Sequence, residues 1–273
     1  MRVDVAKSNN CLNRSIEGHA MAFDMLQSSH FPALKIRERE PRNEGRVATK
    51  ARILSATEKL FVMLGFDATN LRAITTEAGV NLAAVNYHFG SKEELFALVL
   101  TYRLDSLNLE RVRLLDALES KGFDPDHSVE QLIAAMFLPA LQLARKPELG
   151  GDDFLKFLGR AYADASPFVR ELLADRYAAQ DTRFVQAFAK ALPELAAQDL
   201  SMRLHFMLDA ISSTLASEDA RKLMSALAAT SKDAVDEDAA VLAHLGPFLA
   251  GSLRAKVNLS SQQRAIRAVL AFV

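Results

Sequence analysis

A single cysteine, Cys11, is all the thiol in 273 residues. That excludes an internal disulfide framework and a four-cysteine metal site. Tryptophan is absent, and only 8 prolines and 11 glycines punctuate the chain, so few turns and long helices are expected. No uncharged apolar run reaches the roughly 18 residues that a membrane span needs. The nearest, Leu132 to Ala144, contains Pro139 and Gln142. The N-terminus lacks the apolar block of a signal peptide, so the expected location is cytoplasmic, without a membrane partner. A net charge of −1 excludes a protein coated in basic charge, but leaves room for positive potential on one small face.

Enzyme signatures are missing too. There is no G-x-S-x-G elbow, no H-E-x-x-H and no phosphate-cradling glycine loop, and the Gly150-Gly151 pair stands alone. His19, His30, His88, His127, His205 and His244 are never at metal-ligand spacing. His205, on an apolar stretch, reads as a satisfied core residue. Neither a cofactor nor a metal is expected.

What the chain does have is helical period. Residues 1–45 show none and read as a mobile tail, with Met21 or Met25 as a candidate translation start. From Val47, the residues Ile53, Ala56, Thr57, Leu60, Phe61 and Leu64 fall on one face of a helix. Gly65 follows where a left-handed cap is expected. A short second helix buries Leu71, Ile74 and Ala78, with Thr69 or Asn70 as N-cap and Gly79 as breaker. A third runs from Asn81 to about Phe89. Gly90 ends it, and Ser91-Lys92-Glu93-Glu94 is a capping box that opens a long fourth helix. Five or six further helices follow, with Ser166-Pro167, Asp199 and Ser260 as start signals and loops at 122–127 and 147–153. The expected class is all-α: a three-helix unit over 46–91, joined by the fourth helix to a second helical domain over 92–273.

The segment TNLRAITTEAGVNLAAVNYHFGSK, residues 69–92, places two short helices around a glycine turn. That is helix-turn-helix spacing. Helices joined so tightly cross steeply, and the second is free to enter a major groove. Its outward positions Asn81, Asn86, Tyr87 and His88 carry hydrogen-bonding groups, and asparagine matches adenine in the major groove. Arg46, Lys50 and Arg52 on the first helix read either as phosphate contacts or as a solvated basic face.

Over about 50 residues, this segment and its flanks (ILSATEKLF before it, SKEELF after it) resemble the N-terminal signature of the TetR/AcrR family of regulators. The resemblance implies operator DNA as partner, with Asn81, Leu82, Ala83 and Asn86 facing bases and Asn70, Arg72, Tyr87, His88 and Lys92 facing phosphates. Many members carry a polar residue where this chain has Leu82 and an aromatic where it has Asn86. Base readout then rests on Asn86 and on apolar contact with thymine methyls. The resemblance also implies a homodimer formed by the last two long helices, about 200–217 and 235–256. There Ala210, Ser213, Ala250 and Gly251 permit close approach.

Most Phe and Met residues fall after position 105, and packing accounts for most of them. Phe154, Phe157, Leu158 and Tyr162 trace one helical face and, with Phe184 and Phe206, are candidate walls for an elongated apolar effector. FLKFLGRAYADASPFVRELL and MRLHFMLDAISSTLAS are similar to the sensor domain of PsrA-type members of the family. That likeness implies a long-chain fatty acid or acyl-CoA as effector, with Arg160 or Arg203 near its carboxylate unless each is a surface or ion-pair arginine. Two alternatives stay open: a regulator of efflux or catabolism that answers another apolar molecule, and a DNA-bound interaction platform without a ligand.

Overall fold

The computed structural model describes residues 41–146, 151–229, 234–256 and 259–270, and every regular element among them is an α-helix. In chain order they are α1 (Pro41–Ala68), α2 (Leu71–Ala78), α3 (Leu82–Phe89), α4 (Lys92–Lys121), α5 (Ser128–Ala144), α6 (Asp152–Ala163), α7 (Pro167–Ala191), α8 (Ala197–Ala216), α9 (Glu218–Ala228), α10 (Ala234–Arg254) and α11 (Leu259–Leu270). Seven helices therefore follow α4, where five or six were expected. The tail expected over 1–45 lies outside the described residues except for 41–45, which are already in α1. Asp199 and Ser260 lie inside the first turns of their helices rather than ahead of them.

α1 buries Ile53, Ala56, Thr57 and Phe61, as its period predicts, and Leu54 besides, while Leu60 is half-buried. It does not end at Gly65 in a left-handed cap. Gly65 has φ 79° and ψ 179°, a region open essentially to glycine alone. The chain turns there and resumes for Phe66–Ala68. Leu64, expected inward, is consequently exposed, and Phe66 is delivered to the core. Its ring stacks on Phe168 at 4.5 Å and meets the edge of Phe96 at 4.9 Å.

Two side chains of α6 hold this break in place. Asp164, buried at the C-terminal end of α6, accepts from the Phe66 backbone N–H at 3.2 Å and from that of Ser166 at 3.0 Å. Arg160 donates to the Val62 carbonyl at 3.2 Å. The hydrophobic core accordingly ignores the expected boundary at 91/92. One continuous cluster joins Ile53, Phe61, Ile74, Val85 and Phe96 to Phe154, Phe157, Leu158 and Val169. A second cluster is built around Leu115, Leu132, Phe184, Phe188, Leu200 and Leu253.

α4 spans both clusters. Thirty residues give it about 45 Å of length, and polar contacts tie it along that length. Arg103 holds Glu58 of α1 at 2.8 Å. Asp105 accepts from Arg176 and Tyr177 of α7, and Arg183 of α7 reaches both Asp116 and Glu119. α5 and α10 run antiparallel, clamped at one end by Glu130 with Arg254 and at the other by Asp238 with Arg145. Arg203 of α8 donates to the carbonyls of Leu253 and Ala255 and so closes the C-terminal end of α10. His205 is largely exposed, beside Asp209 at 3.4 Å; the reading of it as a core residue is corrected.

Asp164→Ala leaves the Phe66 and Ser166 N–H groups buried without their charged acceptor. It is expected to cost about 2–3 kcal/mol in urea denaturation. Gly65→Ala should also destabilise, because its Cβ would stand 2.7 Å from Asp164 Oδ2 in a backbone region that alanine avoids.

Candidate nucleic-acid interface

α2 and α3 are eight-residue helices, too short to persist in isolation, and both are secured at their ends. Asn70 Oδ1 accepts from Ala73 N–H at 2.9 Å to start α2, and Gly79 closes it in the left-handed conformation, φ 62° and ψ 42°. Two residues later Asn81 Oδ1 accepts from Ala84 N–H at 2.8 Å and starts α3. Ser91 Oγ takes Glu94 N–H, and Glu94 returns to Ser91 N–H, both at 3.0 Å, which completes the capping box at the head of α4. Two start signals read in the sequence, Asn70 and the Ser91-Glu94 box, are thus formed, and Asn81, read as the first residue of its helix, caps it instead. Asn70 and Asn81 were also expected to face phosphate and base; their oxygens are committed to capping, so only the amide NH₂ groups remain for another partner.

Only one face of α3 is packed. Val85 and Phe89 are buried against α1 and α4, while Leu82, Ala83, Asn86 and Tyr87 are exposed. Leu82 is 43% exposed and Tyr87 71%, a poor arrangement for side chains with no partner but solvent. Thus Leu82, Ala83 and Asn86 share one open surface with Tyr87.

Cations surround it. Arg46 of α1 donates from Nη2 to the Tyr87 hydroxyl at 2.9 Å, with its guanidinium 5.5 Å from the ring centre. Lys50 stands 5.9 Å from the Phe89 ring. The Lys92 ammonium lies 4.0 Å from the Phe66 ring and is partly covered, while Arg72 is exposed on α2. The role of Arg46 in holding Tyr87 was not legible in the sequence, where the two are 41 positions apart. His88 is half-buried between these groups. Desolvation first, then the charges of Arg46 and Lys50, hold its imidazole below the usual histidine pKa. At pH 7 it is neutral, able to donate from one nitrogen and accept at the other.

The candidate effector wall is not assembled. Phe154, Phe157 and Leu158 are fully buried, with Phe157 against Phe61 at 5.4 Å. Phe184 lies in the second core cluster, and Phe206 is 60% exposed on α8. Periodicity identified the buried face of α6 correctly, and the partners of α6 are α8, α1 and α5. Tyr162 is half-buried and accepts from Arg111 at 2.7 Å. Arg160 and Arg203 are both spent on backbone carbonyls.

A small apolar cavity of about 30 Å³ does exist, lined by Phe137, Ala140 and Leu141 of α5, Ile211 and Thr214 of α8, and Leu242, Leu245 and Leu249 of α10. None of the candidate wall residues lines it. Among the described residues no group of acids, histidines or cysteines is arranged to hold a metal, and no helix is long and apolar enough to cross a membrane.

The His88 environment sets a pH dependence. A histidine whose folded pKa is depressed gives full stability above its unfolded value of about 6.5 and loses it as pH falls towards the folded value. The stability of the wild type against denaturation should therefore fall below about pH 6.5 relative to His88→Gln, and the His88 ring should titrate below the free imidazole by NMR.

Comparison with known proteins matches residues 53–99 to the domain described as bacterial regulatory proteins, tetR family, and residues 134–252 to the tetracyclin repressor-like C-terminal domain. The HTH-type transcriptional repressor NicS of Pseudomonas putida is 35% identical over 86 residues, 32% of this chain and 39% of that protein. The HTH-type transcriptional regulator SrpR, also of Pseudomonas putida, is 30% identical over 100 residues, 37% and 41% of the two chains. The chain thus spans about two fifths of the length of these curated relatives. Among solved structures, Salmonella enterica GusR aligns at 20% identity over 80% of this chain and 98% of its own, with a TM-score of 0.43. A HlyIIR mutant aligns at 16% identity over 72% and 96%, with a TM-score of 0.44. Two domain matches in the expected order, on the segments that form α1–α4 and α5–α10, assign the chain to the TetR family of transcriptional regulators.

Proposed function

We propose that the chain is a one-component repressor that binds palindromic double-stranded operator DNA as a homodimer and is released by a small apolar effector. The observation that carries this is the open face of α3. Leu82, Ala83, Asn86 and Tyr87 are exposed on a helix held rigidly by caps and by Val85 and Phe89, and Arg46, Lys50, Arg72 and Lys92 lie around it. In this reading Asn86 reads a base edge, Leu82 and Ala83 meet apolar base surface, and Tyr87, His88, Arg72 and Lys92 take phosphates. Asn70 and Asn81 contribute through their amide nitrogens. Arg46 orients Tyr87.

Dimerisation follows from what α8 and α10 leave uncovered. Met202 and Phe206 on α8 and Phe248 on α10 are large, apolar and exposed, and Ala210, Ser213 and Gly251 are exposed small residues on the same helices. Ala250, also named as an approach residue, is buried within the protomer. Phe206 is thus better placed for a second copy than for a ligand. Two copies would present α3 helices about 34–36 Å apart, one turn of duplex.

Release about 100-fold requires an effector that favours the non-binding state by about 2.7 kcal/mol. The contact of Asp164 and Arg160 with the end of α1 supplies a route from the C-terminal helices to α2 and α3. A fatty acid or acyl-CoA as effector, and target genes of fatty-acid metabolism, rest on the PsrA-type likeness of residues 154–173 and 202–217. The efflux or catabolic reading and the platform reading differ by effector response: a platform stays on DNA whatever is added.

Gel shift with the promoter of its own operon tests the proposal. Lys92→Ala should weaken binding to all sequences and lower the salt slope by about 1, whereas Asn86→Ala should relax preference at one position by about 1–3 kcal/mol. Unchanged preference in Asn86→Ala removes that residue from base readout. Phe206→Glu with Phe248→Glu should sediment as a monomer and lose operator binding; a dimer that persists moves the interface elsewhere.

A further inference from the structure

α11 is a helix with no body to lie on. Every side chain from Ser260 to Leu270 is exposed, and neither core cluster takes in any residue of it. Its sequence is nevertheless amphipathic. Ile266, Val269 and Leu270 fall at i, i+3 and i+4 on one side, and Ser260, Arg264 and Arg267 at i, i+4 and i+7 on the other. The three apolar residues are 59%, 65% and 62% exposed. Twelve residues are too few to hold a helix in water by themselves, so this face calls for a cover.

The same chain carries an unfilled groove. An open trough of about 480 Å³ runs between α5 and α10, with Ala134 on one wall and Ala239, Ala243 and Gly246 on the other. Small residues of this kind let another helix come close. A Cβ at Gly246 would meet no atom within 4 Å. Packing inside the protomer therefore does not ask for glycine there, although glycine weakens a helix interior. The lengths agree as well. α11 is about 18 Å long, and so is the stretch of α5 from Glu130 to Gln142 that lines the groove. The charged residues of the lining, Glu130 and Asp238, are acidic, and those of α11, Arg264 and Arg267, are basic. The signs are complementary, though Arg254 and Arg145 already pair with the two acids.

α11 is badly placed to fill the groove of its own protomer. Arg203 of α8 holds the Leu253 and Ala255 carbonyls, which draws the end of α10 toward α8. The ion pair of Arg254 with Glu130 stands across the end of the groove nearest α11. From Ala255, only three residues precede α11 in which to double back over that pair.

We propose that α11 is an exchange arm: in the dimer, each copy lays Ile266, Val269 and Leu270 in the groove between α5 and α10 of the other. The proposal rests on the reading of the chain as a homodimer. A twofold axis makes the exchange reciprocal, so one symmetric step covers both helices and fills both grooves. The groove is continuous with the face already assigned to the second copy. Pro247 lies on its rim, and the next residue, Phe248, is exposed on that face.

Cross-linking of the full chain tests this. In a Cys11→Ser background, Ile266→Cys and Ala243→Cys are placed together in one chain and treated with a short bis-maleimide. A covalent dimer is expected on a denaturing gel, and mixed chains that carry one cysteine each should give the same product. A loop closed within one chain, which runs at monomer mass, overturns the proposal. So does a yield of dimer no greater than that of Ile266→Cys combined with Glu93→Cys. Sedimentation gives a second measure. Ile266→Asp with Val269→Asp should raise the dimer dissociation constant at least about tenfold, and Gly246→Leu, which fills the groove from within, should do the same. Both changes fall where the protomer has open space, and circular dichroism checks that its helicity is kept. Unchanged dissociation constants in both overturn the proposal. Failure of the dimer reads differently. A wild type that sediments as a monomer removes both readings, whereas a dimer without the cross-link removes the arm alone and leaves the interface at Phe206 and Phe248.

Discussion

The end of α1 is where the molecule becomes one body. Gly65 takes a backbone conformation that a side chain would forbid, and Asp164, 98 positions downstream of Phe66, holds the resulting turn by its backbone. That contact places Phe66 between Phe96 and Phe168 and brings Phe61 against Phe157. Without it, α1 would run straight, Phe66 would leave the core, and the helices that follow would lose their platform. A buried carboxylate that accepts two backbone N–H groups is a rigid joint, since neither donor has water to turn to.

The charge balance of the chain hides its local electrostatics. A net charge of −1 is compatible with an exposed helix face ringed by Arg46, Lys50, Arg72 and Lys92, because acids elsewhere are consumed in ion pairs along α4 and between α5 and α10. His88 lies within that ring; desolvation first, and then the charges of Arg46 and Lys50, lower its pKa and leave it a neutral hydrogen-bonding group among permanent charges.

Arg111 inverts this logic. On the surface a cation is at ease; in the core of the C-terminal helices it is an expense that the protein meets with carbonyl, phenol and amide oxygens alone.

The local capping chemistry was legible from the sequence because it acts across three residues. Asn70 to Ala73, Asn81 to Ala84 and the Ser91-Glu94 box need nothing from the rest of the chain, and with the helical period they determine the all-α class and the helix-turn-helix. Periodicity likewise showed that Phe154, Phe157 and Leu158 are turned inward. What they face was beyond it, since a repeat of 3.6 residues specifies a buried side and not its neighbour. Only tertiary structure decided that α6 packs on α8 and α1, that His205 and Phe206 are exposed, that Arg46 belongs to Tyr87, and that Arg111 meets Tyr162 across 51 positions. Those pairings depend on where whole helices come to rest, and no short stretch of sequence carries that information.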